Sequence, residues 1–224
     1  MTEWWTYRIS DLVPFGAEAY WRLFAHENLV FWPVPLVAAV AGAALVLKLL
    51  RSPGEHWGYP VLLLLGGCWI WVGWNFVLHR YGTLNWAGDW LVWPFLLQGA
   101  LLCILANRVE FAPIRDIRTR TGAAVILIAC CLYPGLAILD GRSLLESEAF
   151  GIAPDPTVLA TLGILSLTRR HALVLVVIPA LWLAVSCLVL TTIGAWQGMI
   201  TAVLGAAALW AAARPRGSPT RPGP

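Results

Sequence analysis

Seven apolar segments, separated by short polar gaps, constrain this chain more than any other feature. A helix needs about 20 residues to cross a hydrocarbon core roughly 30 Å thick. Six segments meet or approach that length, and the fifth is short because Pro154 and Pro156 restrict helix formation before Thr157. The pattern predicts an all-α polytopic membrane helix bundle with about seven transmembrane helices. The segments lie near residues 29–50, 57–78, 86–106, 121–139, 152–168, 171–191 and 195–213.

The basic residues indicate how such a bundle is oriented. With seven spans, eleven of the 15 Lys and Arg residues lie on one side and four lie on the other. If the fifth segment does not cross, the division becomes nine to six. Positive residues accumulate on the cytoplasmic side of membrane proteins, so the sharper asymmetry favours seven spans. We therefore predict an outer N-terminus and a cytoplasmic C-terminus. Nine of the twelve acidic residues then lie outside, where they could attract cations or simply be tolerated.

The composition excludes several classes of protein. Charged residues make up 12% of the chain, against about 25% in a typical soluble domain, which is too few to cover a soluble surface. No basic run suggests nucleic acid. The five cysteines lie inside apolar segments without a C-x-x-C pair, which favours small packing residues over metal ligands. No zinc-binding or serine-hydrolase motif is present, so the sequence predicts no cofactor and no catalytic residues.

Three regions follow along the chain. Residues 1–28 form an outer-face N-terminal segment, residues 29–213 form the transmembrane domain, and residues 214–224 are predicted to be a disordered cytoplasmic tail. Within the first region, positions 14–27 have the periodicity of an amphipathic helix, with Glu18 placed to pair with Arg22. Such a helix lies in the membrane interface or caps the mouth of a cavity. Its apolar stripe consists of Ala17, Tyr20, Trp21 and Phe24.

Tryptophan is unusually frequent, with fourteen residues. Most map near the outer boundary, which is typical of an interfacial aromatic belt. We expect Trp69, Trp71 and Trp182 to lie deeper and to pack between helices. The belt residues are Trp4, Trp5, Trp21, Trp32, Trp74, Trp86, Trp90, Trp93 and Trp196.

The densest polar cluster near the predicted membrane lies at the end of the second segment. Trp71, Asn75 and His79 follow one another at helical spacing on one face. Polar groups at such depth usually face the bundle interior and often mark a pathway. His79 could be a proton relay, a pH sensor or a metal ligand, or could donate a structural hydrogen bond. Asn75 could equally serve helix–helix packing, and Asp89 could cap the third span. The candidate binding residues are Trp71, Asn75, His79, Arg80, Asn85, Asp89 and Asp155.

A second polar cluster lies in the loop before the fifth segment. Its last residue, Asp155, is predicted to be the N-cap of the fifth helix with Pro156 at the first helical position. Alternatively, a short helix interrupted by proline exposes backbone groups to a substrate, as in transporters. Asp155 and His79 would then face one outer cavity. The cluster consists of Asp140, Arg142, Glu146, Glu148 and Asp155.

Several short stretches along the chain stand out as motifs: Trp4-Trp5-Thr6-Tyr7 with Ser10-Asp11, Tyr20-x-Arg22-Leu23-Phe24, Trp32-Pro33, Arg80-Tyr81-x-x-Leu84-Asn85-Trp86-Ala87, and Pro154-Asp155-Pro156-Thr157 with Ala160-Thr161-Leu162-Gly163. Together they resemble a bacterial family of multi-pass membrane proteins of unknown function, whose members are sometimes labelled transporter permeases. The resemblance covers most of the chain and implies a bacterial inner-membrane protein, but it transfers no functional residue.

Three functions are compatible with the sequence. The first is a small permease with an outer-facing polar site for a small molecule or ion. The second is a sensor or scaffold that holds a membrane-protein partner or a lipid through its aromatic outer face. The third is an enzyme acting on a lipid-linked substrate, for which His79 with Asp89 or Asp155 is the available acid/base pair. In each case the lipid bilayer is the surrounding partner, and nucleic acid is not.

Overall fold

The computed structural model describes residues 13–51, 58–109, 111–112, 114, 116–168 and 173–213. This part of the chain is helical and has no β-strand, although an isolated bridge joins Phe111 to Thr168. Two helices continue directly into π-helices, and the remaining ordered turns are short. The α-helices are α1 Ala17–Val30, α2 Val34–Arg51, α3 Gly58–Trp71, α4 Gly88–Leu105, α5 Ile117–Leu127, α6 Gly135–Leu139, α7 Pro154–Ser166, α8 Leu173–Thr192 and α9 Gln197–Ala213. The π-helices are π1 Val72–Tyr81, which extends α3, and π2 Ile128–Leu132, which extends α5.

The predicted all-helical fold is confirmed, and each of the seven apolar segments coincides with helix. Their lengths differ, however. Three helical stretches, Gly58–Leu84, Gly88–Arg108 and Val174–Thr192, are long and apolar enough to cross a membrane. A fourth span results if α1 and the following helix, bent by 87° at their junction, count as one broken crossing. Length and composition of the described residues therefore support three or four spanning helices, fewer than the seven that the sequence predicts.

Helix α7 lies at the centre of the bundle. All thirteen of its residues are buried, and it packs against α5, α8, α9 and π2. The approach to α5 depends on two glycines, since a Cβ on Gly122 would lie 1.7 Å from the Oγ of Ser166 and one on Gly163 would lie 2.8 Å from the Gly122 carbonyl oxygen. Small residues at a helix crossing allow backbones to approach in this way. The short fifth segment is thus a central helix enclosed by the others.

The predicted capping role of Asp155 is wrong. The N-cap of α7 is Ala153, and Pro154 occupies the first helical position. A proline suits that position because its missing N–H has no partner in the first helical turn anyway. The helix therefore begins earlier than predicted, and Asp155 becomes the second helical residue. Its side chain is released from capping and points into the bundle.

The amphipathic N-terminal helix is present as α1. Tyr20, Trp21 and Phe24 are buried, and the exposed side carries the predicted ion pair between Glu18 and Arg22 at 2.5 Å. The apolar face packs on protein, because the Phe24 ring stacks on Phe76 with 4.8 Å between ring centroids. Helix α1 therefore packs against π1 and against residues Leu144–Glu146 of the loop before α7.

The exposures of the described tryptophans agree with the prediction except at Trp21, a predicted belt residue that is 5% exposed, and at Trp71. Trp32, Trp86, Trp90 and Trp93 are each between 64% and 69% exposed, and Trp74 is 54% exposed. Trp69 and Trp182 are buried as predicted, whereas Trp71 is 42% exposed and does not pack fully between helices. Trp71 lies where α3 passes into π1, and its ring meets the edge of Phe31. The predicted positions Trp4 and Trp5, with the tail 214–224, lie outside the described residues.

Hydrogen bonds between elements divide the ends of the helices into two groups. At one end, the Arg118 Nε at the start of α5 donates to the Ala211 carbonyl near the end of α9 at 2.8 Å. At the other end, the Asn28 amide of α1 donates to the carbonyls of Leu145 and Ser147 at 2.7 and 2.8 Å. We call this second group the polar-loop end. It comprises the ends of α1 and π1, the loop 140–153, and the starts of α7 and α9.

Candidate functional site

The Asp155 carboxylate is the centre of a buried polar network. Its side chain is 1% exposed and accepts hydrogen bonds from three side chains, two of them on α8 and one at the π2–α6 junction. The Trp182 indole N–H donates at 2.8 Å, the Tyr133 hydroxyl at 3.4 Å, and the Ser186 hydroxyl donates to the same carboxylate oxygen as Tyr133. Three converging donors are what a buried carboxylate requires to remain in an apolar bundle.

The network continues from Tyr133 towards the polar-loop end. The hydroxyls of Tyr133 and Thr201 are 2.6 Å apart, and either can be the donor. While Tyr133 donates to Asp155, Thr201 donates to Tyr133; when Thr201 instead donates to the Gln197 carbonyl at 3.2 Å, Tyr133 donates to Thr201. The side chain of Gln197 donates to Glu148 at 3.3 Å. The Arg142 guanidinium completes the series by donating to the Gln197 side-chain oxygen at 2.7 Å. We call these residues the Asp155 network: Asp155, Trp182, Ser186, Tyr133, Thr201, Gln197, Glu148 and Arg142.

Glu148 is the member of this network with an unsatisfied oxygen. Its side chain is buried, one oxygen accepts only the long bond from Gln197, and the other has no hydrogen-bond partner. Burial raises the pKa of Glu148 well above its usual value, the nearby Asp155 carboxylate raises it further, and Arg142 opposes both effects. Glu148 lies in the loop 140–153, outside the helices. Its carboxyl group is therefore placed to hold a proton.

Arg142 lies where the network reaches the surface. Its guanidinium donates to Asp140 at 2.8 Å and to the Glu146 carbonyl at 2.8 Å. It also lies over the Trp21 ring of α1, 3.6 Å from the ring centroid, which is the geometry of a cation–π contact. The guanidinium thereby ties α1, the loop and α9 together above the buried carboxylates.

A second buried polar group joins α1 to π1. The Glu27 side chain is fully buried and accepts hydrogen bonds from the Asn75 amide and the Arg80 guanidinium. Arg80 is 32% exposed, so this ion pair spans the boundary between the interior and the surface. We call Glu27, Asn75 and Arg80 the Glu27 cluster. It fixes the end of α1 to the end of π1.

The predicted site residues divide between these two groups and the surface. Asn75 and Arg80 come together on Glu27, and Asp155 organises the other network. His79 is exposed, with its ring against the edge of Trp74 at 5.2 Å between centroids. Among the described residues, no hydrogen bond or ion pair connects His79 with Asp155. The shared outer cavity predicted for these two residues therefore has no contact to support it.

The remaining predicted residues have local roles. Asn85 is buried, and its side-chain oxygen accepts from the Ala87 backbone N–H at 3.0 Å, which shapes the turn before α4. Asp89 is exposed in the first turn of α4, where a carboxylate interacts favourably with the helix dipole. Trp71 contacts Phe31 edge to face at 5.1 Å.

The predicted common face of Trp71, Asn75 and His79 does not form one interior site. Residues 72 to 81 form π1, in which the backbone bonds reach one residue further along the chain than in an α-helix. The Asn75 amide donates to Glu27, whereas Trp71 and His79 are exposed.

The sequence pattern does not identify Glu27 or Ser186 as site residues, and it predicts only packing between helices for Trp182. A signal for the Asp155 network did exist in the second polar cluster, because Arg142 and Glu148 belong to both. The structure does not provide a set of ligands for the alternative in which His79 binds a metal ion. Within the described residues, no three His, Cys, Asp or Glu side chains are grouped as a metal site, and all five cysteines are free thiols.

The fold and the Asp155 network together define the class of protein. The described part of the chain is all-helical, has several apolar helices long enough to cross a membrane, and is built around a buried carboxylate network. The family described as a family of unknown function, DUF6064, matches residues 17–217, and the chain belongs to this family. This agrees with the resemblance to an uncharacterised family. Neither a curated protein nor a solved structure matches the chain.

Proposed function

We propose that this protein is a multi-pass membrane permease of the bacterial inner membrane in which the Asp155 network carries protons. The observation that supports this proposal is the series of polar contacts that runs from Arg142 at the surface through Gln197, Thr201 and Tyr133 to Asp155 inside an apolar bundle. Ionisable groups inside a membrane protein are costly, and they mark ion pathways and proton relays. Under the predicted orientation, the polar-loop end faces outward.

The chemistry of the network supports a proton as the carried species. Glu148 and Asp155 are two buried carboxyl groups on one network, and Tyr133 and Thr201 between them can exchange donor and acceptor roles. A proton entering at Glu148 meets a carboxylate oxygen that has no other partner. Reversing the hydroxyl directions then alters the hydrogen bonding at Asp155 without moving a helix.

Arg142 is the residue that would control access. Its guanidinium lies between the surface residue Asp140 and the buried Gln197, and it rests on the Trp21 ring. A positive charge at this position repels cations. Cations would therefore enter only when the Arg142 side chain turns away from the network. In this proposal α1 acts as the support on which Arg142 rests.

Proton flux into liposomes tests the proposal. Purified protein is reconstituted with a pH-sensitive dye inside, and a potassium diffusion potential drives protons inward. We expect acidification faster than in empty liposomes, and a loss of most of that rate in Glu148→Gln and in Asp155→Asn. Asp89→Asn is the matched control, because Asp89 is an exposed carboxylate outside the network. Wild-type flux equal to that of empty liposomes, or wild-type rates in both network variants, would exclude this function.

A scaffold that binds a membrane partner is the second candidate. It is favoured by the exposed indoles of Trp86, Trp90 and Trp93, which lie together at the turn before α4 and in its first two turns. Aromatic residues are enriched at protein interfaces. Affinity purification from the native membrane would recover a defined partner, and replacing Trp90 and Trp93 by alanine would release it. A partner retained by the double variant would exclude this surface.

A further inference from the structure

Two apolar cavities lie end to end along the side of α2 that faces α3. One has a volume of about 300 Å³ and lies between α2, α3, α5 and α7. The other has a volume of about 550 Å³ and extends towards Phe31 and Trp71. Leu64 of α3 lines both. We call the two together the α2–α3 groove.

The groove exists because α2 and α3 pack on different neighbours. Helix α2 packs against α5 and π2, and a Cβ on Gly42 would lie 2.4 Å from the Cys130 Cβ. Helix α3 packs mainly against α4 and also contacts α7. The space between the two helices has the buried residues Cys130, Ala160 and Ile164 as its floor. It is bordered by small exposed residues of α2, Ala41 and Ala44, that leave it open at the side.

The chemistry of the groove changes along its length. The lining of both cavities is apolar except for Lys48, which lies near the end of α2. Phe31 and Trp71, which contact each other, line the opposite end. From Val34 to Lys48 the rise along α2 is about 21 Å, at roughly 1.5 Å per residue. One leaflet of the hydrocarbon core is about half of 30 Å, so the groove is long enough for one acyl chain.

The position of Lys48 argues for the kind of head group. Lysine side chains extend along apolar surfaces and place their ammonium group at the membrane interface. In the predicted orientation Lys48 lies on the cytoplasmic side, whose leaflet carries anionic lipids. A cation beside the end of an acyl-chain groove is complementary to a phospholipid with a net negative head group.

We propose that the α2–α3 groove binds one acyl chain of an anionic membrane phospholipid, with its head group beside Lys48. The lipid occupies the space between two helices that do not pack closely on each other. It therefore completes the bundle on this side, and it is held more firmly than the lipids that surround the rest of the protein.

Native mass spectrometry of the gently solubilised protein tests this site with two probes, dioleoyl phosphatidylglycerol and dioleoyl phosphatidylcholine. We expect one retained phosphatidylglycerol in the wild-type protein and little phosphatidylcholine. The indole of Ala44→Trp should fill part of the groove and weaken lipid retention about tenfold. This is the effect expected when roughly two methylene groups of the acyl chain no longer fit in the groove. Lys48→Gln should still bind lipid but lose the preference for phosphatidylglycerol.

The control is Val40→Trp, because Val40 is 62% exposed on the same helix but does not line the groove. Its lipid retention should equal that of the wild type. If Ala44→Trp does not fold, as judged by circular dichroism, Ala41→Trp replaces it. A wild-type protein without retained lipid, equal retention in Ala44→Trp and Val40→Trp, equal retention of both lipids, or a dimer that Ala44→Trp dissociates would each overturn the proposal.

Discussion

The ion pair between Glu27 and Arg80 offers an asymmetric test of how α1 is fixed to the bundle. The Glu27 side chain is fully buried, whereas Arg80 is 32% exposed. Replacing Arg80 by glutamine leaves a carboxylate in the interior with only the Asn75 amide as a partner. Replacing Glu27 by glutamine leaves a guanidinium that can turn into solvent. The two single substitutions therefore remove the same contact at different cost.

The magnitudes follow from these exposures. Leaving one partner of a buried ion pair uncompensated costs about 3–5 kcal/mol, and the partial exposure of Arg80 places Arg80→Gln near 3 kcal/mol. For Glu27→Gln the loss is that of a hydrogen bond to a charged group, about 1.5–3 kcal/mol, and the partial exposure of Arg80 places it near 1.5 kcal/mol. A domain of this size loses about 2–4 °C in unfolding midpoint per kcal/mol. We therefore expect a decrease of about 6–12 °C for Arg80→Gln and about 3–6 °C for Glu27→Gln.

Thermal unfolding in one detergent, followed by circular dichroism at one scan rate, measures these values. The double variant Glu27→Gln, Arg80→Gln has no buried charge at this position. It should unfold at a higher temperature than Arg80→Gln alone, which corresponds to a favourable coupling of about 0.5–3 kcal/mol between the two sites. Arg22→Gln is the matched control, because its ion pair with Glu18 is exposed and should contribute little. Equal midpoints for the two single variants, or additive losses in the double variant, would refute the asymmetry.

Three further predictions concern the pKa of Glu148, the close approach of α5 to α7, and the hydrogen bonds to Asp155. Because burial raises the pKa of Glu148 above that of the unfolded chain, its contribution to stability is complete at low pH and is lost as the pH rises through the folded-state pKa. The unfolding midpoint of the wild type should fall between pH 5 and pH 9 by more than that of Glu148→Gln. Gly122→Ala should cost about 1–3 kcal/mol by overpacking, whereas Gly67→Ala, which meets no atom within 4 Å, should cost nothing measurable. Trp182→Phe removes one donor from Asp155 and should cost about 1.5–3 kcal/mol in thermal unfolding.

Each of these has a contradicting outcome. Parallel pH profiles for the wild type and Glu148→Gln would mean that this carboxyl group does not titrate differently on unfolding. Equal midpoints for the two glycine variants would mean that α5 and α7 approach less closely than described. An unchanged midpoint for Trp182→Phe would mean that the indole contributes only through its ring.

Much of the fold could be predicted because apolar length and charge patterning are local properties. The amphipathic helix α1, its Glu18–Arg22 pair and the all-helical character of the chain were predictable from spacing, whereas the number of spanning helices was not, since three or four are long and apolar enough. The central position of α7 was not, because a buried helix and a lipid-facing helix are equally apolar. Helix starts also depend on competition between neighbours, and Pro154 displaced Asp155 from the predicted cap.

The site was predictable only in part, for a related reason. Asp155 was recognised as a candidate, but its donors Trp182 and Ser186 lie 27 and 31 residues away on another helix. The Glu27–Arg80 pair spans 53 residues. The periodicity of a single segment cannot predict contacts between residues that lie so far apart in the chain. The π-helix over residues 72 to 81 likewise could not be predicted, since nothing in that stretch breaks an α-helical pattern.

The complete enclosure of α7 changes what holds this helix in place. A helix that leaves water gains free energy from the hydrophobic effect, but lipid chains are as apolar as leucine and valine, so a helix that leaves lipid for the centre of a bundle gains almost none. In the membrane setting proposed above, α7 is therefore held by its fit to its neighbours, through the close approach of Gly122 and Gly163 and the directional bonds at Asp155. Substitutions in α7 that preserve hydrophobicity but change volume should therefore disturb the fold as strongly as polar ones do.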